Sequence, residues 1–162
     1  VRRRGAGRAR ARACRSAARS EGTAMTRRIA YNFARLRVVP HVATGAFTDI
    51  GVILHARTAE FLDCRILCEP AKLRAIAPDV DVDLLCRYID ACVAICRGEA
   101  AGGPIAMLPT SERFHWLVAP RSDVLQCSPV HEGLCDDPAT ELDALYRLYV
   151  RDEMNQEQGR VV

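Results

Sequence analysis

The sequence predicts an α+β fold: a mostly antiparallel sheet of about five strands in the order βββααββα, with two to three packed helices. Three observations lead there. Residues 29–68 contain three consecutive strand-like segments whose links are too short for a helical crossover. Residues 69–98 then carry the cap residues and apolar spacing of helices, and residues 114–127 return to strand-like alternation before a last amphipathic segment.

Ile29 to Val39 is rich in β-branched and aromatic residues and is closed by Pro40; its apolar parity shifts between Phe33 and Leu36, which suits a bulge or a strand buried on both faces. A turn-like stretch from Pro40 to Gly45 leads into Phe47–Leu54, whose continuous apolar run from Ile50 marks a central strand. In Phe61–Cys68, residues Leu62, Cys64, Ile66 and Cys68 share one parity and Asp63 and Arg65 the other, the pattern of a half-buried strand. Pro70 can open a short helix that ends by Pro78, and Asp81 caps a longer one that Gly98 ends. The Ala-, Gly- and Pro-rich segment 99–109 reads as a loop. Phe114–Ala119 and Val124–Cys127 then flank a turn as a second hairpin, and Asp137 with Pro138 opens the last helix.

A chain of 162 residues, 49% hydrophobic and 27% charged, suits a single globular domain. Its longest apolar runs, Ile50–Leu54 and Ala91–Cys96, fall far short of the ~20 residues of a spanning helix. The net charge of +3 is unevenly divided. Residues 1–24 hold eight arginines against one acid, a local +7, whereas residues 25–162 hold 15 basic and 19 acidic side chains, a local −4. The expected organisation is therefore an Arg/Ala/Gly-rich tail over 1–24, one α+β domain over 25–151 and a polar tail over 152–162. Three readings compete for the first tail: a start assigned upstream of Met25, which is favoured; a basic arm for nucleic acid; and an organellar leader. The tail lacks the apolar segment of a secretory signal, and a cytoplasmic protein is expected; nucleic acid is not an expected partner unless that arm is real.

Eight cysteines include no C-x-x-C pair, which removes the strongest zinc and dithiol signals, and four scattered histidines supply no metal grammar. Cys64 and Cys68 read as small core residues, and Cys92 and Cys96 extend the apolar helical stripe Val82, Leu85, Ile89. Cys127, beside Gln126, Ser128 and His131, is the thiol to test for reactivity. Neither a phosphate-cradling glycine loop nor a nucleophile elbow nor a zincin motif is present, and no cofactor is implied. The densest polar cluster, residues 119–138, contains Arg121, Ser122, Gln126, Ser128 and His131. It can be a turn with a helix cap, or a loop that binds an anion or a partner through a forked guanidinium. His131 has the ring chemistry of a general base but no assured nucleophile or orienting acid.

Four segments, Arg35–Pro40, Gly45–Leu54, Arg113–Ser122 and Gln126–Gly133, resemble the small bacterial family known as domain of unknown function 3037, over about residues 29–150. That family's second segment reads Gly-Glu-Phe-x-Asn-Ile-Gly-Val; here Ala46 stands for the Glu and Asp49 for the Asn. The resemblance brings no established activity. Some relatives are encoded beside a HipA-like protein kinase, which implies a partner or regulatory role. It also implies that the motif-matching residues Arg35, Arg37, Gly51, Arg121, Ser122, Gln126, Ser128 and His131 lie on one side of the sheet, and the candidate binding surface is Arg35, Arg37, Asp49, Arg121, Ser122, Gln126, Ser128 and His131. The expected function is thus that of a non-enzymatic partner protein using the 119–137 loop and the exposed sheet edge. The alternative is a small enzyme that binds an anionic or phosphate ligand, or a nucleic-acid processor, with Arg121, Ser122 and His131 lining a pocket.

Overall fold

The computed structural model describes residues 28–121 and 123–151. The expectations for the 1–24 and 152–162 tails and for Ser122 lie outside those residues. The strands are β1 (Ile29–His41), β2 (Ala46–Ala56), β3 (Phe61–Ile66), β4 (Leu125–Cys127) and β5 (His131–Cys135). The α-helices are α1 (Pro70–Ile76), α2 (Val82–Arg97), α3 (Gly103–Ala106), α4 (Thr110–Val118) and α5 (Pro138–Tyr146), the last followed by a wide turn over Arg147–Arg151. All strand pairs are antiparallel, so the α+β class holds, with more helices than expected.

The sheet runs β3-β2-β1, and β4 and β5 share the remaining edge of β1. β5 takes Ile29–Phe33 and β4 takes Leu36–Val38. Strand alternation sends Leu36, Val38, Ile53, Leu62 and Cys64 into the larger core with Leu85, Ile89, Phe114 and Leu117 of α2 and α4. Tyr31, Phe33, Val52 and Leu54 face the opposite way, into a smaller core with Leu142 and Leu145 of α5. Both faces of the sheet are therefore covered, which explains why β1 and β2 read as near-continuous apolar runs.

Local chemistry fixes the element ends. The Asp81 side chain accepts from the Leu84 backbone N–H at 3.0 Å to start α2. Gly98, at φ 71°, ends it in the left-handed conformation, with the Glu99 N–H closing on the Ala94 carbonyl at 2.9 Å. Asp137 starts α5 by accepting from both the backbone N–H and the hydroxyl of Thr140, and those hydrogen bonds hold its carboxyl below the usual carboxylate range. Between Phe33 and Leu36 the register with β2 is regular, so the parity shift there reflects burial on both faces and not a bulge; a bulge follows in β2, where Leu36 faces Gly51 and Arg37 faces Asp49, leaving Ile50 unmatched.

Two expectations are corrected. Segment 114–119 is not a strand but the second half of α4. Phe114 and Leu117, three apart, are the buried positions, while His115 and Trp116 point to solvent. Phe114 and Trp116 therefore do not share a face, and the apparent alternation was half of a helical period. Segment 99–109 is likewise not an open loop, because it holds a 3₁₀ turn and α3, with Ala106 in the core. The fifth strand lies instead at His131–Cys135, which has only one fully buried residue and so carries no apolar alternation.

Candidate functional site

β1 presents Arg35 and Arg37 on the same face as Tyr31 and Phe33, beyond the area that α5 covers. Because of the bulge, Asp49 arrives opposite Arg37 on that face instead of being carried to the other side. Its carboxylate takes one bond from each arginine: Arg35 Nη1 donates to Oδ2 at 2.8 Å and Arg37 Nε donates to Oδ1 at 3.0 Å. Asp49 is only 4% exposed. Burying a carboxylate is tolerable here because two cations and two charge-assisted hydrogen bonds compensate it.

The guanidinium planes are held by aromatic rings. Arg35 lies 5.0 Å from the centre of Tyr149 and Arg37 lies 4.0 Å from that of Phe47. Tyr149 stacks on Phe33, which in turn contacts His131 at 5.2 Å between ring centres. A continuous strip thus runs His131, Phe33, Tyr149, Arg35, Asp49, Arg37, Phe47 across one face. With two cations on one anion it carries a net positive charge, and among the described residues the remaining guanidinium N–H groups make no hydrogen bond.

Gln126 faces Arg37 from β4, and its amide donates to the Asp123 carbonyl at 2.7 Å. Ser128 is buried between β4 and β5 and is used structurally. Its hydroxyl accepts from the Arg35 N–H at 3.0 Å and donates to the Pro129 carbonyl at 2.8 Å, pinning the crossover to β1. His131 is exposed on β5, and among the described residues it has neither a hydrogen-bonded nucleophile nor an acid. Arg35, Arg37, Asp49, Gln126, Ser128 and His131 therefore gather around the middle of β1. Arg121 does not join them. It stacks 4.2 Å over Trp116 and donates to the Trp116 carbonyl at 3.1 Å, on the helix that covers the other face.

Burial disfavours the thiolate at several of the described cysteines. Burial pushes the thiol of Cys127, the one singled out for a reactivity test, up to about 12, and it points at the Leu117 carbonyl. Burial likewise raises Cys92 to about 11, while a hydrogen bond with Cys64, then burial, drives Cys96 upward. Cys68 departs from its expected core position, since β3 ends at Ile66 and leaves it exposed. No cluster of three or more metal-binding side chains occurs among the described residues, and no helix among them is long and apolar enough to cross a membrane.

One polar pair escaped the sequence reading. His55 is buried on β2, stacked on Phe114 at 5.1 Å, with Nε2 3.2 Å from the Ser111 hydroxyl. Desolvation, followed by the nearby His115 and Arg57, lowers its pKa below 6.5. The signal was hidden because Ser111 belongs to α4, whose first residues carried no assigned element and whose second half reads as a strand in the sequence.

Comparison with curated proteins and with solved structures gives no match. The family model described as "Protein of unknown function (DUF3037)" matches residues 33–150, which run from Phe33 to the last core residue after α5 and include the whole strip around Arg35, Asp49 and Arg37. This chain belongs to that family.

Proposed function

We propose that this protein is a non-enzymatic binding protein that receives a protein partner along the β4–β5 edge and the adjoining face of β1. The observation that carries the reading is the edge itself. β5 pairs with β1 on one side only, its other side makes no backbone hydrogen bond among the described residues, and Val130 and Leu134 stand 45% and 59% exposed beside it. An unpaired edge with apolar side chains is the surface that accepts an added strand. The Arg35–Arg37 pair beside it favours an acidic residue in the incoming segment, because a second carboxylate would use the free guanidinium donors.

The alternative, an anion-processing enzyme with Arg121, Ser122 and His131 around one pocket, gains no support from the position of Arg121 on Trp116. The resemblance to relatives encoded beside a HipA-like kinase makes such a kinase the first partner to test, and the expected setting is the cytoplasm. The test is co-purification of the tagged full chain from its native host at near-native level. Recovery of one partner in near-stoichiometric amount is expected, and recovery of nothing above background ends the reading.

A further inference from the structure

On the sheet face opposite the arginine strip, one corner is left uncovered by the helices and forms a cleft of about 540 Å³. Its floor crosses three strands in one row. Asn32 of β1 is directly opposite His55 of β2 on one side and Glu132 of β5 on the other. Arg57 and Thr58, on the turn after β2, form one wall, and Leu134 forms an apolar patch near Glu132. This volume is that of a small-molecule site, and a few converging polar groups beside an apolar side chain are a lining suited to one.

The charges of the cleft select the ligand. Glu132 lies on β5 and Arg57 just past the end of β2, on opposite sides of β1, and neither has an ion-pair or hydrogen-bond partner among the described residues. Asn32 and Thr58 also make no side-chain hydrogen bond among them. A ligand of one sign would satisfy one charge and desolvate the other without compensation, whereas a dipolar ligand satisfies both. Adjacent strands lie ~4.8 Å apart, so β5, which carries Glu132, and β2, which leads into Arg57, lie ~10 Å apart across β1. An extended di- or tripeptide, at roughly 3.5 Å per residue, matches that span. Its amide groups would lie over Asn32 and Thr58. His55, fixed by Ser111 and Phe114, is a rigid neutral part of the floor.

We propose that this cleft binds a free short peptide, with its carboxylate on Arg57, its ammonium group on Glu132 and an apolar side chain on Leu134. The cleft shares Leu134 and β5 with the edge proposed to receive the protein partner, but Arg57 lies on the face opposite the arginine strip, so Arg57→Ala tests the cleft without touching that strip.

The test is titration calorimetry of the full chain with Ala-Leu-Ala and with a mixed tripeptide library, each with free termini, against the same peptides N-acetylated and C-amidated. Binding by the free peptides is expected. Arg57→Ala and Glu132→Gln, both at exposed positions, should each weaken it by about tenfold to a hundredfold, the range of a lost charged hydrogen bond. Blocking the amine should leave Glu132→Gln without further effect, and blocking the carboxylate should do the same for Arg57→Ala. Absence of heat with every free peptide, or binding unchanged by blocking or by both substitutions, overturns the proposal. Circular dichroism of each variant separates lost binding from lost fold.

Discussion

Arg37 and Asp49 face each other across the β1–β2 pair, with Nε 3.0 Å from Oδ1, only because Ile50, between Asp49 and Gly51, is bulged out of register. Without the bulge Asp49 would turn toward the larger core, away from Arg35 and Arg37. The bulge therefore decides on which face the arginine strip is assembled.

Removing the carboxylate leaves two neighbouring guanidinium groups without an anion. The arginine side chains are 22% and 16% exposed, so water relieves part of the cost. Asp49→Ala should lower stability by about 3 kcal/mol, at the low end for breaking a buried ion pair. Asp49→Asn keeps an acceptor and should cost less. Urea denaturation of the three proteins checks the order.

Gly51 lies where β2 and β3 approach closely. A Cβ there would stand 2.8 Å from the Arg65 carbonyl oxygen and 2.9 Å from Ile66 Cγ1. One of these is backbone and cannot move aside, so Gly51→Ala should destabilise the protein by about 1–3 kcal/mol. A shift of the denaturation midpoint with an unchanged slope is the expected sign.

His55 should make stability sensitive to mild acid. Its folded pKa is lowered by desolvation, so below 6.5 the unfolded chain takes up a proton that the folded site resists. The contribution is present at neutral pH and is lost as pH falls from 6.5 toward the folded value. The melting temperature should fall more between pH 7 and pH 5 for the wild type than for His55→Gln, and parallel profiles would refute the assignment.

Tyr31 acts in the opposite pH range. Its hydroxyl donates to Glu141 Oε1 at 2.6 Å, and burial followed by that carboxylate raises its pKa above the usual value of 10. Below pH 10 the contribution is intact, and it is lost as pH rises toward the folded pKa. Tyr31→Phe should cost about 1 kcal/mol at neutral pH, the usual value of one such bond. In absorbance titration it should also remove a phenol that ionises above the usual range.

Much of the scaffold was legible because its signals are local. β1 to β3 have continuous or alternating apolar runs, and Asp81, Gly98 and Asp137 mark helix ends by their own chemistry. α4 was not legible as a helix, since Pro109 and Pro120 confine it to two turns in which Phe114 and Trp116 imitate alternation. β5 was hidden for the converse reason: as a half-exposed edge strand it needs no apolar pattern. The gathering of Arg35, Arg37 and Asp49 on one face could be anticipated from the period of a strand only for the two arginines. The place of Asp49 depended on a one-residue bulge, and the separation of Arg121 depended on the misread helix.

The central claim is that the β5 edge and the arginine strip receive a protein partner. The most direct measurement is quantitative capture from the native host by the full chain and by the double variant Val130→Lys, His131→Glu, both at exposed positions. The account predicts one near-stoichiometric partner with the wild type, its loss with the double variant, and its retention with Arg57→Ala on the opposite face. Equal capture by wild type and double variant, or no stoichiometric partner at all, would contradict it.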